Sequence, residues 1–105
     1  MINEEVKLAV LKSTGKVTTQ KSIADEVGYS VGKVNYILKG LMEKGLIKAE
    51  RFMNSNNKLQ YKYLLTEAGI KEKMDITERF IIRKKEEYDQ LQAEMKQYKE
   101  QYEKV

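Results

Sequence analysis

The stretch QKSIADEVGYSVGKVNYILKGL, residues 20–41, holds two short amphipathic segments on either side of a glycine. Ile23, Ala24 and Val27 share one helical face and stop at Gly28, with Thr19 ahead of them as the N-cap and no acid in the first turn. A glycine just past the last helical residue suits left-handed backbone. Ser30 caps the second segment, whose apolar positions are Val34, Ile37, Leu38 and Leu41, and Gly45 ends it. Ala24 is small where the two helices must cross closely. Gly28 makes the tight turn, and Ile23, Val27, Tyr29, Val34 and Ile37 anchor both sides. Two short helices at a steep angle need this combination, which is that of a helix-turn-helix. A plain three-helix core would share the apolar positions without requiring a basic, polar outer face on the second helix.

Upstream, residues 3–13 read as a helix carrying Val6, Ala9 and Val10 at helical spacing, widened by Leu8 and Leu11 and ended by Gly15. Downstream, the period turns extended. Residues 46–53 and 59–65 are rich in β-formers, and Asn54-Ser55-Asn56-Asn57-Lys58 lies between them. Asparagine tolerates positive φ, so this run is a hairpin tip. Phe52, Tyr61, Tyr63 and Leu65 read as packing residues. Thr66 caps a helix that runs to the C-terminus. The expected architecture is mainly α with a small β-hairpin: a winged helix-turn-helix over 1–66, and a long coiled-coil-like C-terminal helix over 67–105.

With 105 residues and 12.3 kDa, the chain has room for one domain and an extension. It contains no cysteine and no histidine, so disulfides, zinc fingers and Cys–His or Ser–His catalytic pairs are excluded. Asp25, Glu26, Glu43 and Glu50 form no evident convergent cluster, and there is no Gly-rich phosphate loop. We expect no enzyme, no metal and no cofactor. No run of 18 apolar residues exists to span a membrane, and the start MINEEVKLAVLK has acids where a secretory signal needs bases. A cytoplasmic protein is expected.

Charge is distributed unevenly. Residues 28–65 hold seven basic side chains (Lys33, Lys39, Lys44, Lys48, Arg51, Lys58, Lys62) against Glu43 and Glu50, net +5, while residues 1–27 balance and 66–105 are net −1. A basic patch on a balanced chain is the footprint of a polyanion-binding surface. On the second helix of the pair, the outer residues Ser30, Val31, Gly32, Lys33, Asn35, Tyr36 and Lys39 are the candidate readers of the major groove of double-stranded DNA. Asn35 can make paired hydrogen bonds to adenine, and Lys33 and Lys39 can meet phosphate or guanine. Gly32 is costly within a helix unless it sits early in the first turn or lies close to DNA. On the hairpin, Arg51, Asn56, Asn57, Lys58 and Lys62 are candidates for the DNA backbone or minor groove.

The C-terminal segment carries Ile70, Met74, Thr77, Ile81, Lys84, Tyr88, Leu91, Met95, Tyr98, Tyr102 and Val105 at alternating spacings of four and three. A stripe of this period needs a partner along its length. A helix over 67–105 would reach about 58 Å, more than the preceding domain can cover. Folding back onto that domain suits Ile70 to Ile82, where Ile76 and Phe80 add a second apolar edge. It does not suit 88–105. Homodimerisation through Ile81, Tyr88, Leu91, Met95, Tyr98 and Tyr102 is expected, with parallel or antiparallel pairing, a higher oligomer and a kink near Ile76 left open. A winged-helix adaptor that assembles other proteins through its coiled coil is the competing reading. The lysines of residues 28–65 favour DNA over it.

The order of elements, followed by Leu64-Leu65-Thr66-Glu67-Ala68-Gly69, resembles the MarR-type winged-helix regulators. The runs Gly32-Lys33-Val34-Asn35-Tyr36, Lys44-Gly45, Asn54-Ser55-Asn56-Asn57-Lys58-Leu59 and Arg79-Phe80 resemble a small subgroup associated with exopolysaccharide gene clusters. The resemblance implies a bacterial transcription regulator acting as a dimer. Neither the sign of regulation nor an effector is implied.

Overall fold

The computed structural model describes residues 3–15 and 19–105. The first two residues of the MINEEVKLAVLK start lie outside them. The elements run α1 (Glu4–Thr14), α2 (Gln20–Val27), α3 (Val31–Glu43), β1 (Ile47–Met53), β2 (Leu59–Leu65) and α4 (Glu67–Glu103). The chain is mainly helical, with one antiparallel hairpin and a long last helix, as the sequence predicts.

Each helix starts on a short polar side chain that accepts from the backbone three residues on. Asn3 caps Val6, Thr19 caps Ser22, Ser30 caps Lys33 and Thr66 caps Gly69, at 2.9–3.1 Å. Such a cap contributes about 1 kcal/mol. Gly28 leaves α2 at φ +77 and so makes the tight turn into α3. The hairpin register runs from Ile47 opposite Leu65 to Met53 opposite Leu59. Asn54 closes the tip: its Oδ1 accepts from the backbone N–H groups of Asn56 and Lys58, and Asn57 takes the left-handed conformation at φ +60.

One core joins all of these elements. Leu8, Val10 and Leu11 of α1 meet Ile23 and Ala24 of α2. Val34, Ile37, Leu38 and Leu41 of α3, with Leu46, Ile47, Tyr63 and Ile76, complete it. Burial pushes the Tyr63 phenol above its ordinary range, and the neighbouring Tyr61 adds to the shift. Tyr61 itself corrects the sequence reading. It lies on the same hairpin face as Tyr63, yet it is 50% exposed where Tyr63 is 8% exposed. Tyr61 stands two residues nearer the tip, where it lines an open cleft beside the start of α2 and is not packed into the core.

α4 docks by an edge other than the main stripe. Ile76 is fully buried and Phe80 partly so, while Ile70, Met74, Ile81 and Ile82 are exposed. The second edge rests on the body and the stripe faces away. α1 and α4 also exchange ion pairs: Lys7 with Glu72 at 3.3 Å, and Glu4 with Arg79 and Arg83. The Arg79 guanidinium, donating to Glu4, holds that carboxyl below the usual carboxylate range. The Glu4 pairs are exposed and stabilise little, and Lys7–Glu72 is part-buried, so apolar burial at Ile76 and Phe80 carries most of the docking. From Ile81 to Glu103 every residue is exposed. No helix among the described residues is long and apolar enough to cross a membrane.

Candidate nucleic-acid interface

α3 has one buried face and one free face, as its apolar spacing dictates. Val31, Gly32, Lys33, Tyr36 and Lys39 are exposed, and Ser30, also exposed, spends its hydroxyl on the helix cap. A Cβ added at Gly32 would meet open space, so nothing inside the chain requires a glycine there. The Lys33 ammonium sits 4.1 Å from the centre of the Tyr29 ring. That contact anchors a positive charge beside the first turn of α3.

Asn35 differs from its neighbours. It is half-buried, not exposed as the outer-face pattern predicts, because Gln20 at the start of α2 lies against it. Asn35 Nδ2 donates to Gln20 Oε1 at 3.2 Å, and Gln20 Nε2 donates to the Val31 carbonyl at 3.2 Å. The sequence reading missed Gln20. No local signal marks it, since the two residues meet only once α2 has crossed α3.

On the wing, Arg51, Asn56, Asn57 and Lys58 are exposed at or near the tip. Lys62 is half-buried and faces Glu50 across the ladder at 3.7 Å, with Lys48 on the other side of that carboxylate at 3.6 Å. Glu50 therefore offsets part of the charge at the middle of the wing and leaves Arg51 and Lys58 as cations nearer the tip. Among the described residues no three acidic side chains converge to hold a metal ion.

The arrangement is a convex helix face flanked by a basic hairpin tip, which suits a groove with phosphates on either side. Residues 8–48 match the family described as winged helix-turn-helix DNA-binding. Three solved structures share the fold. MepR, a transcription regulator of the Staphylococcus aureus multidrug efflux pump MepA, is 22% identical over 92% of this chain and 76% of that one, with a TM-score of 0.61. A PadR-like transcriptional regulator from Bacillus cereus is 13% identical over 83% and 91%, with a TM-score of 0.75. Bacillus subtilis PadR in complex with operator DNA is 20% identical over 68% and 46%, with a TM-score of 0.59. No curated protein sequence matches. At these identities the likeness is one of fold, and residues 8–48, less than half of the chain, are similar to the winged helix-turn-helix DNA-binding family.

Proposed function

We propose that this protein is a sequence-specific, double-stranded-DNA-binding transcriptional regulator that acts as a homodimer. The observation that carries the reading is the pairing of α3's free face with basic residues at the wing tip, on a fold of the DNA-binding kind. Val31, Lys33, Asn35, Tyr36 and Lys39 meet the major groove, and Arg51, Asn56, Asn57 and Lys58 meet the backbone beside it. Residues 1–66 form the DNA-binding unit. Residues 67–105 pair two copies through Ile81, Tyr88, Leu91, Met95, Tyr98 and Tyr102, all of them exposed in the single chain. An apolar stripe of that length is rarely left open to water. The GKVNY and NSNNKL runs support an exopolysaccharide biosynthesis locus as the target. The upstream region of such a cluster, competed against random duplex, tests that part of the reading.

Binding is expected to be strongly salt-dependent. If each subunit makes about four phosphate contacts, the dimer makes about eight, and log K falls with log salt at a slope near −7. Filter binding with duplex DNA across a salt series measures it. A slope shallower than about −2 would overturn the nucleic-acid reading in favour of an adaptor.

Two single substitutions separate reading from positioning. Asn35→Ala is expected to cost about 1–3 kcal/mol on the preferred site and little on random duplex, because only a base edge is lost. Lys58→Ala weakens both duplexes alike and flattens the salt slope by about one unit for each subunit's lost contact. Equal loss on both duplexes for Asn35→Ala would move the reading role to Lys33 and Tyr36.

A further inference from the structure

The two hydrogen bonds around Gln20 have a fixed direction. The Val31 carbonyl can only accept, so the Gln20 atom that meets it at 3.2 Å is the amide nitrogen. That turns Gln20 Oε1 toward Asn35. This oxygen can also only accept, so Asn35 must present Nδ2 to it, again at 3.2 Å. A backbone carbonyl at the start of α3 thus sets the orientation of two side-chain amides in sequence. One of the two Nδ2 hydrogens of Asn35 is spent on Gln20. What Asn35 retains for a ligand is one N–H donor and its Oδ1 acceptor.

We propose that Gln20 is a positioning residue that locks the amide of Asn35 and makes it select adenine over guanine. The inference rests on the reading of Asn35 as a base reader. In the major groove adenine offers an acceptor at N7 and a donor at N6, whereas guanine offers acceptors at N7 and O6. An unrestrained asparagine can turn both Nδ2 hydrogens toward guanine's two acceptors. With one hydrogen held by Gln20, that option is closed, and the remaining donor and acceptor match adenine. Gln20 need not touch the base. It acts from the neighbouring helix, at a point where α2 is itself held by its Thr19 cap.

The test begins with duplex sites selected by the parent protein from a randomised pool. Competition binding then compares each base pair at every position. Asn35→Ala identifies the position that Asn35 reads, as the one whose adenine preference collapses. Gln20→Met keeps the side chain's length and removes both amide bonds. It is expected to lower the adenine-to-guanine ratio at that same position by at least about fivefold. Preferences elsewhere, affinity for random duplex, the salt slope and the thermal midpoint should be unchanged. In the Asn35→Ala background, Gln20→Met should have no further effect on that ratio. Gln20→Glu serves as a second variant of native shape. Its carboxylate cannot donate to the Val31 carbonyl but still accepts from Asn35 Nδ2, so the adenine-to-guanine ratio should be kept where Gln20→Met loses it, on top of a uniform loss of affinity from the added charge. A Gln20→Met ratio within twofold of the parent, or a loss spread over all positions, would overturn the inference while leaving Asn35 as reader. A lack of any position-specific loss in Asn35→Ala would overturn the reader and the Gln20 inference together.

Discussion

Replacing Leu91 and Met95 together by aspartate is expected to turn the protein into a monomer and to lower its affinity for its preferred site by two orders of magnitude or more. Both side chains lie on the projecting half of α4, 62% and 54% exposed. Nothing in the body packs against them, since the helix leaves the core after Phe80. The substitutions therefore leave the fold of the single chain intact. Between two copies they act four times over. Burying a Leu or Met contributes roughly 1.5–3 kcal/mol, and a carboxylate in the same place adds a desolvation cost. A coiled-coil seam with four such losses does not persist at micromolar concentration. Once the subunits separate, the second half-site no longer binds intramolecularly, and an avidity of about 10²–10⁴ is lost. Sedimentation reads the first effect and competition binding the second, with the thermal midpoint of the body as control. If the variant sediments like its parent, the subunits do not meet along this stripe.

What the sequence revealed about the fold was local. Thr19, Ser30 and Thr66 act within three residues, Gly28 within one turn, and the asparagine tip within five residues. Each is therefore decided by short-range chemistry that a sequence displays directly. The long helix was legible in extent and period but not in the face it docks. Residues 69, 73, 76 and 80 repeat at the same spacing as 70, 74, 77 and 81, one position behind. The first set contains a glycine and a lysine, and so looks the less apolar of the two. It is nonetheless the set that rests on the body, because close approach at Gly69 and burial of Ile76 matter more than average hydrophobicity. Tyr61 and Tyr63 pose the same difficulty. Alternation places them on one face, but only the reach of the helices below decides which of them is covered. The outer face of α3 was readable from its apolar spacing. The bond from Gln20 to Asn35 was not, because it joins residues fifteen apart whose meeting depends on the angle at which two helices cross.

A close backbone approach at Gly69 predicts a position highly sensitive to substitution. Gly69, in the first turn of α4, is buried against the chain that leaves α3, and a Cβ there would run into the carbonyl of Leu46, with Leu65 Cδ2 at 3.3 Å. That carbonyl cannot retreat. It accepts from the Thr66 backbone N–H at 3.1 Å, and the Thr66 hydroxyl donates to the Gly45 carbonyl at 2.6 Å while accepting from the Gly69 N–H at 3.0 Å. Gly45 itself is held at φ +73. The junction of α3, wing and α4 is thus tied through the Thr66 backbone and hydroxyl, and what a Cβ at residue 69 would meet first is a backbone carbonyl and not the end of a flexible side chain. Gly69→Ala is expected to destabilise the body by about 3 kcal/mol, the upper end of the usual overpacking range. For a domain of this size that lowers the melting midpoint by roughly 12 °C or more. Gly69→Val, with two further methyl groups at the same point, should leave little folded protein at 37 °C. Gly32→Ala is the internal control. Its Cβ meets open space and the residue is helical, so stability should rise by a few tenths to about 1 kcal/mol. Thermal unfolding of the three variants followed by circular dichroism decides the matter. If Gly69→Ala melts with its parent, α4 does not rest on the Leu46 carbonyl, and the wing is not tied to the long helix at this junction.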